Sequence, residues 1–164
     1  MLGRFLWRVH FAHHMPEQVY VLMHPVHHPL TIIFLSGVVL LPISALGFSS
    51  EVILIFGLIM LLQGQFSHFN MNIRAGLFNY ILTGTELHRY HHSANTAEAK
   101  NYGSITPIWD LVFGTFHYRP GHLPDSLGLA DAKLYPRVEN VWSVIKFPFR
   151  MEKKLAAKAD VKGL

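Results

Sequence analysis

Histidine is the residue type in this chain whose number and spacing could do chemistry. Twelve of the 164 residues are histidines, and the sequence contains no cysteine. The pattern His-x-x-His-His occurs three times, at residues 10–14, 24–28 and 88–92. On a helix, residues i, i+3 and i+4 share one face, so each segment is expected to direct up to three imidazoles toward one point. Neutral imidazole binds iron, zinc, copper and nickel, and the pattern therefore predicts a metal site without thiolate ligands.

The middle histidine segment is the weakest of the three. Pro25 lies inside it, and Pro29 follows it and disfavours helical geometry at His28. His24 and His27 are therefore ranked low as ligands, because a lone histidine is more often an ordinary hydrogen-bonded residue. His28 stands beside an apolar segment and is a candidate ligand or a candidate partner of one.

Three residues outside the repeated pattern are further candidates. His68 closes the second apolar segment, so a helix that emerges from a membrane would present it to the other histidines. Asn72 lies one helical turn later and is a candidate partner of a ligand. Asp110 lies in a Gly- and Pro-rich loop. It could orient a ligand imidazole through the second ring nitrogen, or it could hold the loop.

Two uncharged apolar segments, Leu30–Phe48 and Val52–Phe66, separate the first histidine segments from the last one. As a helix, the first would span about 28 Å, close to the bilayer core of about 30 Å. Only residues 49–51 link the two segments, which predicts a transmembrane helical hairpin at about residues 30–68. The alternative is a pair of core helices in a soluble protein, and 164 residues are few to bury both completely.

Basic residues flank the predicted hairpin and are absent from its link. They are Arg4 and Arg8 before the hairpin, and Arg74, Arg89 and Lys100 after it. The positive-inside rule therefore predicts a multi-pass membrane protein with both termini and the histidine segments in the cytoplasm. A hairpin also brings residues 10–14 and 88–92 to one membrane surface. Their six imidazoles are too many for one four-coordinate zinc ion and indicate two metals.

The remaining segments complete an all-α, single-domain prediction for residues 1–164. Residues 69–95 predict a helix with a break near Gly84, and residues 96–130 predict a loop. Residues 138–164 mix aromatic and basic side chains. They predict either an interfacial helix on anionic lipid or a solvated C-terminal helix. The predicted architecture is a transmembrane hairpin under a cytosolic, histidine-rich helical cap that holds two metals.

Charge and cysteine content exclude other classes of protein. Charged residues make up 15% of the chain, against roughly 25% in ordinary soluble domains. The net charge of +4 is too modest for a nucleic-acid-binding face, and no nucleic acid partner is predicted. The absence of cysteine excludes disulfides and iron–sulfur clusters. A metal transporter is disfavoured because the apolar segments contain no histidine and no carboxylate.

Six segments, in their order along the chain, carry a resemblance to a known family. They are Leu6–His14, His28-Pro29-Leu30, His68-Phe69-Asn70, Glu86–Ser93, Asn101-Tyr102-Gly103 and Trp109–Thr115. Together they resemble the fatty acid hydroxylase superfamily of sterol desaturase-like membrane proteins, over roughly residues 5–120.

The resemblance implies an oxidoreductase that hydroxylates or desaturates a lipid, such as a sterol or fatty acyl chain. It implies a di-iron centre, O2 and an external electron donor, with zinc as the other metal that fits. The implied partners are a membrane lipid and an electron-transfer protein or reductase. The implied metal ligands are His10, His13, His14, His68, His88, His91 and His92.

One family element has no match in the chain. The family pattern begins with an earlier His-x-x-x-His box, whose end would fall at Met1 when counted back from His10. We therefore expect an N-terminally truncated member, through a misassigned start or a true fragment. The alternative function is an inactive or non-catalytic membrane metal-binding protein that lacks this box.

Overall fold

The computed structural model of the chain describes residues 2–137 and 139–150. The helices are α1 (Leu2–His10), α2 (Pro29–Ala45), α3 (Ser50–Ser67), α4 (Thr85–His91), α5 (Ile108–Phe113) and α6 (residues 141–150). Short 3-10 helices are found at Phe11–His14, Val21–Met23, Gly76–Tyr80 and Ala132–Leu134. Across these described residues there is no β-strand, and the extended contacts are limited to a bridge between Ser93 and Leu127. The all-α prediction is confirmed.

Helices α2 and α3 form the predicted helical hairpin. Helix α2 ends at Ala45, three residues before the apolar segment does, because the chain turns at Gly47, whose φ is +77°. Apolar side chains of both helices point away from the protein, with Leu41 70% exposed and Leu62 67% exposed. Among the described helices, α3 is long and apolar enough to cross a membrane, while α2 has 17 residues and is shorter.

The packed core lies at the open end of the hairpin. Its fully buried apolar side chains include Phe11, Met23 and Leu87. Two hydrogen bonds join the hairpin to this core. Thr31 of α2 donates its hydroxyl to the Val9 carbonyl at 2.7 Å, and Gln63 of α3 donates to the Thr83 carbonyl at 2.7 Å. The core is therefore a cap fastened to both hairpin helices.

The predicted helix over residues 69–95 is wrong for most of its length. Only α4 is α-helical there, with a 3-10 helix at Gly76–Tyr80. The Ala75 N–H donates to the Glu86 carboxylate, and Gly76 has a φ of +56°, so the backbone leaves helical geometry. The break near Gly84 is found, because Gly84 is the extended residue before α4.

The segments beyond α4 differ partly from prediction. Residues 96–130 are mainly irregular, but α5 interrupts them. Helix α6 accounts for part of the predicted interfacial tail, and its Phe147 ring packs 4.8 Å from the Phe11 ring of the core. Residues 151–164 of that tail lie outside the described residues.

Candidate metal centre

The structure brings all seven implied ligands into two adjoining groups. The first group is His13, His68, His88 and His92, and the second group is His10, His14 and His91. In each group, one ring nitrogen from every member lies within 4.8 Å of the others. The groups are neighbours, since the His14 and His92 ring centroids are 4.4 Å apart. Each group could hold one metal ion.

The Nε2 atoms of the first group lie close together. Nε2 of His68 lies 3.0 Å from Nε2 of His13 and 3.0 Å from Nε2 of His88. Nε2 of His88 also lies 3.1 Å from Nε2 of His92. A ring nitrogen carries either one hydrogen or one in-plane lone pair, so neither central nitrogen can satisfy two partners by hydrogen bonding.

A bound metal ion would resolve this crowding of nitrogens. Nitrogens that ligate one metal at about 2.1 Å lie about 3.0–3.4 Å apart, for octahedral and tetrahedral geometry respectively. The observed separations of 3.0–3.1 Å fit that range. The donor set consists of imidazoles alone, which suits iron or zinc. The residues present therefore fit a bound metal.

Backbone carbonyls set the orientation of two first-group rings. Nδ1 of His68 donates to the Gly64 carbonyl at 2.6 Å, and Nδ1 of His13 donates to the Val26 carbonyl at 3.3 Å. When Nδ1 carries the proton, Nε2 keeps its lone pair for a metal. Gly64 is a contributor that sequence reasoning missed, although its position one helical turn before His68 was a signal.

The second group has three histidines, one fewer than the first. Its ring centroids are 4.9 Å apart for His10 and His14, 4.7 Å for His14 and His91, and 5.8 Å for His10 and His91. Nε2 of His14 and Nδ1 of His91 are buried without a hydrogen-bond partner. A buried polar atom without a partner is costly. A metal ion held by this group would remove that cost.

Each outer histidine box is divided between the two groups, contrary to the prediction that one box serves one point. In the box at the end of α4, His88 and the C-cap residue His92 belong to the first group and His91 to the second. In the earlier box, His10 and His14 belong to the second group and His13 to the first. In α4, successive residues are about 100° apart, so His91 and His92 lie on opposite sides of His88. Residues 11–14 form a 3-10 helix, so this α-helical spacing does not explain the division of the earlier box.

Burial keeps these imidazoles neutral. Desolvation, with repulsion from neighbouring imidazoles, lowers the pKa of His10 to about 3. Desolvation is also the main cause that lowers the pKa of His68 and of His91 to about 4. Burial lowers the pKa of His14 and His88 further. Neutral imidazole is the form that ligates metals, so the site is in its binding state at pH 7.

His28 and Asn72 lie outside both groups. Nδ1 of His28 accepts from the Leu30 N–H at 3.1 Å, and Nε2 donates to the Ile145 carbonyl at 3.0 Å. Both ring nitrogens are engaged, so His28 caps α2 and has no lone pair left for a metal. Asn72 is exposed and accepts from the Arg74 guanidinium at 3.1 Å.

Asp110 holds a loop through three hydrogen bonds. Its carboxylate accepts from the N–H groups of Tyr102 and Gly103, both at 2.8 Å, and from the Thr115 hydroxyl at 2.6 Å. Its charge also acts on His91, where it counteracts the lowering of the pKa that burial causes. The carboxylate is buried, and its hydrogen bonds serve the loop.

Two histidines that the sequence ranked low lie beside the centre. The His27 ring stacks on the His13 ring, with centroids 4.2 Å apart and planes 13° apart. The His24 ring lies 5.3 Å from the His68 ring and packs over Gly64 so closely that a Cβ there would overlap it. Pro29 disfavours a helix at His28, but a 3-10 helix followed by a turn and irregular chain still brings both rings to the site.

Two sequence comparisons find matches among known proteins. A model of the fatty acid hydroxylase family matches residues 2–115. Ornithine lipid hydroxylase OlsE from Rhizobium tropici is 33% identical over 125 residues, which cover 76% of this chain. The chain spans 38% of the length of that relative. No solved structure shows a significant match.

Proposed function

Because the chain belongs to the fatty acid hydroxylase family, we propose that it is a lipid hydroxylase that uses O2 at a di-iron centre. The observation that carries the proposal is the convergence of four Nε2 atoms at 3.0–3.1 Å beside a second group of three imidazoles. The seven histidines in these groups would hold the two ions. Iron suits both the all-imidazole donor set and oxidation chemistry, whereas zinc fits the donor set but has no redox activity.

The reaction requires more than the histidines supply. In hydroxylation by O2, one oxygen atom enters a C–H bond and the other leaves as water, which consumes two electrons and two protons. Two iron ions, when bound, would supply the redox chemistry that O2 activation needs. The electrons must come from outside, so we propose an electron-transfer protein or reductase as a partner. The same metal chemistry also serves desaturation.

The chain's own residues shape and shield this site. His68 and His92 expose only 2% and 0% of their surface, so the first group is closed to bulk water. Exclusion of water protects reactive species from side reactions. The Gly64 carbonyl holds the His68 ring in one tautomer, which preserves the ligand geometry.

The exposed apolar hairpin explains how a lipid would reach the centre. The family is membrane-associated, and α3 is long and apolar enough to span a bilayer. We propose that α2 and α3 both enter the membrane, so that the cap lies at one membrane surface. The distribution of basic residues supports the further proposal that this surface and both termini face the cytoplasm. A lipid could then present its head region to the cap while its chains stay in the bilayer.

The named relative suggests the first substrate to test. That relative is named an ornithine lipid hydroxylase, so we propose a membrane lipid with an amino acid head group. The assay would use membranes that contain ornithine lipid and the expressed chain, and mass spectrometry would measure the gain of one oxygen atom. Wild-type chain should convert the lipid in an iron- and O2-dependent reaction. The variant His88→Ala/His91→Ala/His92→Ala should convert none.

The matched control is His122→Ala, which changes an exposed histidine outside both groups and should retain activity. Full conversion by the triple variant would refute the proposal. Iron binding by the wild-type chain without lipid oxidation would support the alternative, a non-catalytic membrane metal-binding protein.

A further inference from the structure

Two oxidisable aromatic side chains lie against the second histidine group. The centroid of the Trp7 ring lies 5.1 Å from that of His14, and the Tyr102 ring lies 5.7 Å from the His91 ring. Among the residues that the structure describes, no tryptophan or tyrosine ring makes such a contact with a first-group histidine. The chain has no cysteine, so indole and phenol are its side chains that lose a single electron most readily.

Trp7 also has a partner for its proton. Its Nε1–H donates to the hydroxyl oxygen of Tyr135 at 2.8 Å. An indole that has lost an electron releases this proton easily, and a hydroxyl can accept a proton while it passes its own to water. Tyr102 differs, because its hydroxyl donates to the Ala99 carbonyl at 3.1 Å, which has no proton of its own to pass on.

The packing of the cap fixes Tyr135 in this position. Its ring stacks on the fully buried Phe11, with centroids 5.1 Å apart and planes 28° apart. The Phe147 ring lies 5.4 Å away and holds Tyr135 from another element. Trp7 and Tyr135 are 128 residues apart in the sequence, so only the tertiary structure forms the pair.

We propose that Trp7 is a one-electron donor to the metal centre and that Tyr135 relays its proton. The inference rests on the metal centre of the proposed function. When no lipid is bound, the oxidising equivalents that O2 leaves at the centre meet no C–H bond. One electron then leaves the Trp7 indole and reduces the oxidised centre by one electron. The Nε1 proton passes to the Tyr135 oxygen while the Tyr135 hydroxyl proton leaves to water. The external electron donor returns the electron and water returns the proton, so the histidine ligands are spared from oxidation.

The competing explanation is that Trp7 only packs against His14, and the other two tryptophans of the chain separate the explanations. Trp109 is 63% exposed and Trp142 is 71% exposed, against 39% for Trp7, so an oxidant in solution would attack Trp7 last. Arg and Lys residues lie between the three tryptophans, so trypsin places each on its own peptide.

The experiment uses the purified full chain in detergent, loaded with Fe²⁺ and free of lipid. Hydrogen peroxide, a two-electron oxidant, would supply the oxidising equivalents, and mass spectrometry would follow the gain of oxygen in each peptide. The Trp7 peptide should gain oxygen several-fold faster than the Trp109 and Trp142 peptides. Without iron, this preference for Trp7 should be lost.

Two conservative variants test the donor and the relay. Trp7→Phe keeps a flat ring beside His14 but removes the indole, and Tyr135→Phe keeps the ring on Phe11 but removes the hydroxyl. Both should bind as many Co²⁺ ions as the wild-type chain. Under peroxide, the histidines at residues 10–14 should gain oxygen several-fold faster in both variants, and Trp7 itself should react more slowly in Tyr135→Phe. Trp142→Phe is the matched control and should behave like the wild-type chain.

The outcomes are distinct. Equal oxidation of the three tryptophans in the iron-loaded chain, or unchanged damage to the histidines in Trp7→Phe, would overturn the inference and leave Trp7 a packing role. Unchanged oxidation of Trp7 in Tyr135→Phe would overturn the relay. Failure of the wild-type chain to bind iron would overturn the inference together with the proposed function. An iron-dependent preference for Trp7 in a chain that oxidises no lipid would support the inference and count against the proposed function.

Discussion

The two histidine groups use the same residue type and draw on the same two boxes, yet they differ in completeness. In the first, four Nε2 atoms crowd to 3.0–3.1 Å, and two backbone carbonyls orient the rings of His13 and His68. The second has three members, and Nε2 of His14 and Nδ1 of His91 are buried without partners, as is Nδ1 of His92 in the first group. The first group is therefore more strongly preorganised for a metal.

The difference shows that one histidine box does not supply all the ligands of one metal site. Each box supplies a pair to one group and a single imidazole to the other. For residues 88–92 the reason is that residues i+3 and i+4 flank residue i on an α-helix. Loss of a whole box would damage both groups, whereas single substitutions should separate them. Two residues outside the boxes complete the first group. His68 adds a fourth imidazole, and the Gly64 carbonyl orients its ring.

Removing one ligand from each group tests the comparison with the largest expected effect. His88→Ala should abolish the first-group ion, with a loss of affinity beyond the roughly 10–100-fold that is typical of changes behind the ligands. His91→Ala should remove the second-group ion instead. Each variant should retain the other ion in a stoichiometric Co²⁺ titration, with His122→Ala as the control. Equal loss of both ions in His91→Ala would show that the groups are not separate.

Acid should destabilise the metal-free fold. The folded-state pKa values of His68 and His91 are lowered from 6.5 to about 4, so between these values the unfolded chain binds protons that the folded chain does not. The stability that these groups contribute is fully present above pH 6.5 and is lost as pH falls toward about 4. Thermal unfolding across this range should show it.

The pH test also checks whether the histidines are the cause. His88→Ala/His91→Ala/His92→Ala removes three titrating groups, so its unfolding temperature should change less steeply between pH 6.5 and about 4. An equal slope in both proteins would mean that other groups control the acid response. Bound metal should raise the unfolding temperature without reducing the slope, because ligated imidazoles stay unprotonated in the folded chain while those of the unfolded chain still take up protons.

Gly64→Ala should have a smaller effect that is confined to the first group. The added Cβ would overlap the His24 ring and disturb the carbonyl that orients His68. We expect a loss of roughly 10–100-fold in affinity for the first-group ion, with the second unchanged. Gly57→Ala is the matched control, since a Cβ on that glycine of α3 meets nothing within 4 Å. An equal loss in both variants would indicate a general effect on α3.

Much of the centre could be predicted from local sequence, because histidine spacing and apolar length are local properties. The spacing in residues 10–14 and 88–92, together with His68 after an apolar segment, identified residues that the fold gathers into two groups. The irregular course of residues 69–80 could not be read in this way. It depends on the contact of Ala75 with the Glu86 carboxylate, which lies eleven residues further along the chain.

His28 and His27 show the same limit of prediction from local sequence, one as a residue ranked too high and the other as a residue ranked too low. His28 stood in the favoured position before α2, but its Nε2 is taken by the Ile145 carbonyl, 117 residues away. His27 was ranked low because of the prolines around it, yet its ring stacks on His13. Neither contact can be predicted from local periodicity, because each joins residues that are far apart in the sequence.

The sequence by itself determined the residue types, their helical spacing and the apolar hairpin that brings the outer boxes to one end. Only the tertiary structure decided how seven imidazoles divide into groups of four and three, and which carbonyls orient them. The physical reason is that helical periodicity acts over a few residues. The direction of a buried ring depends on the distant chain packed against it.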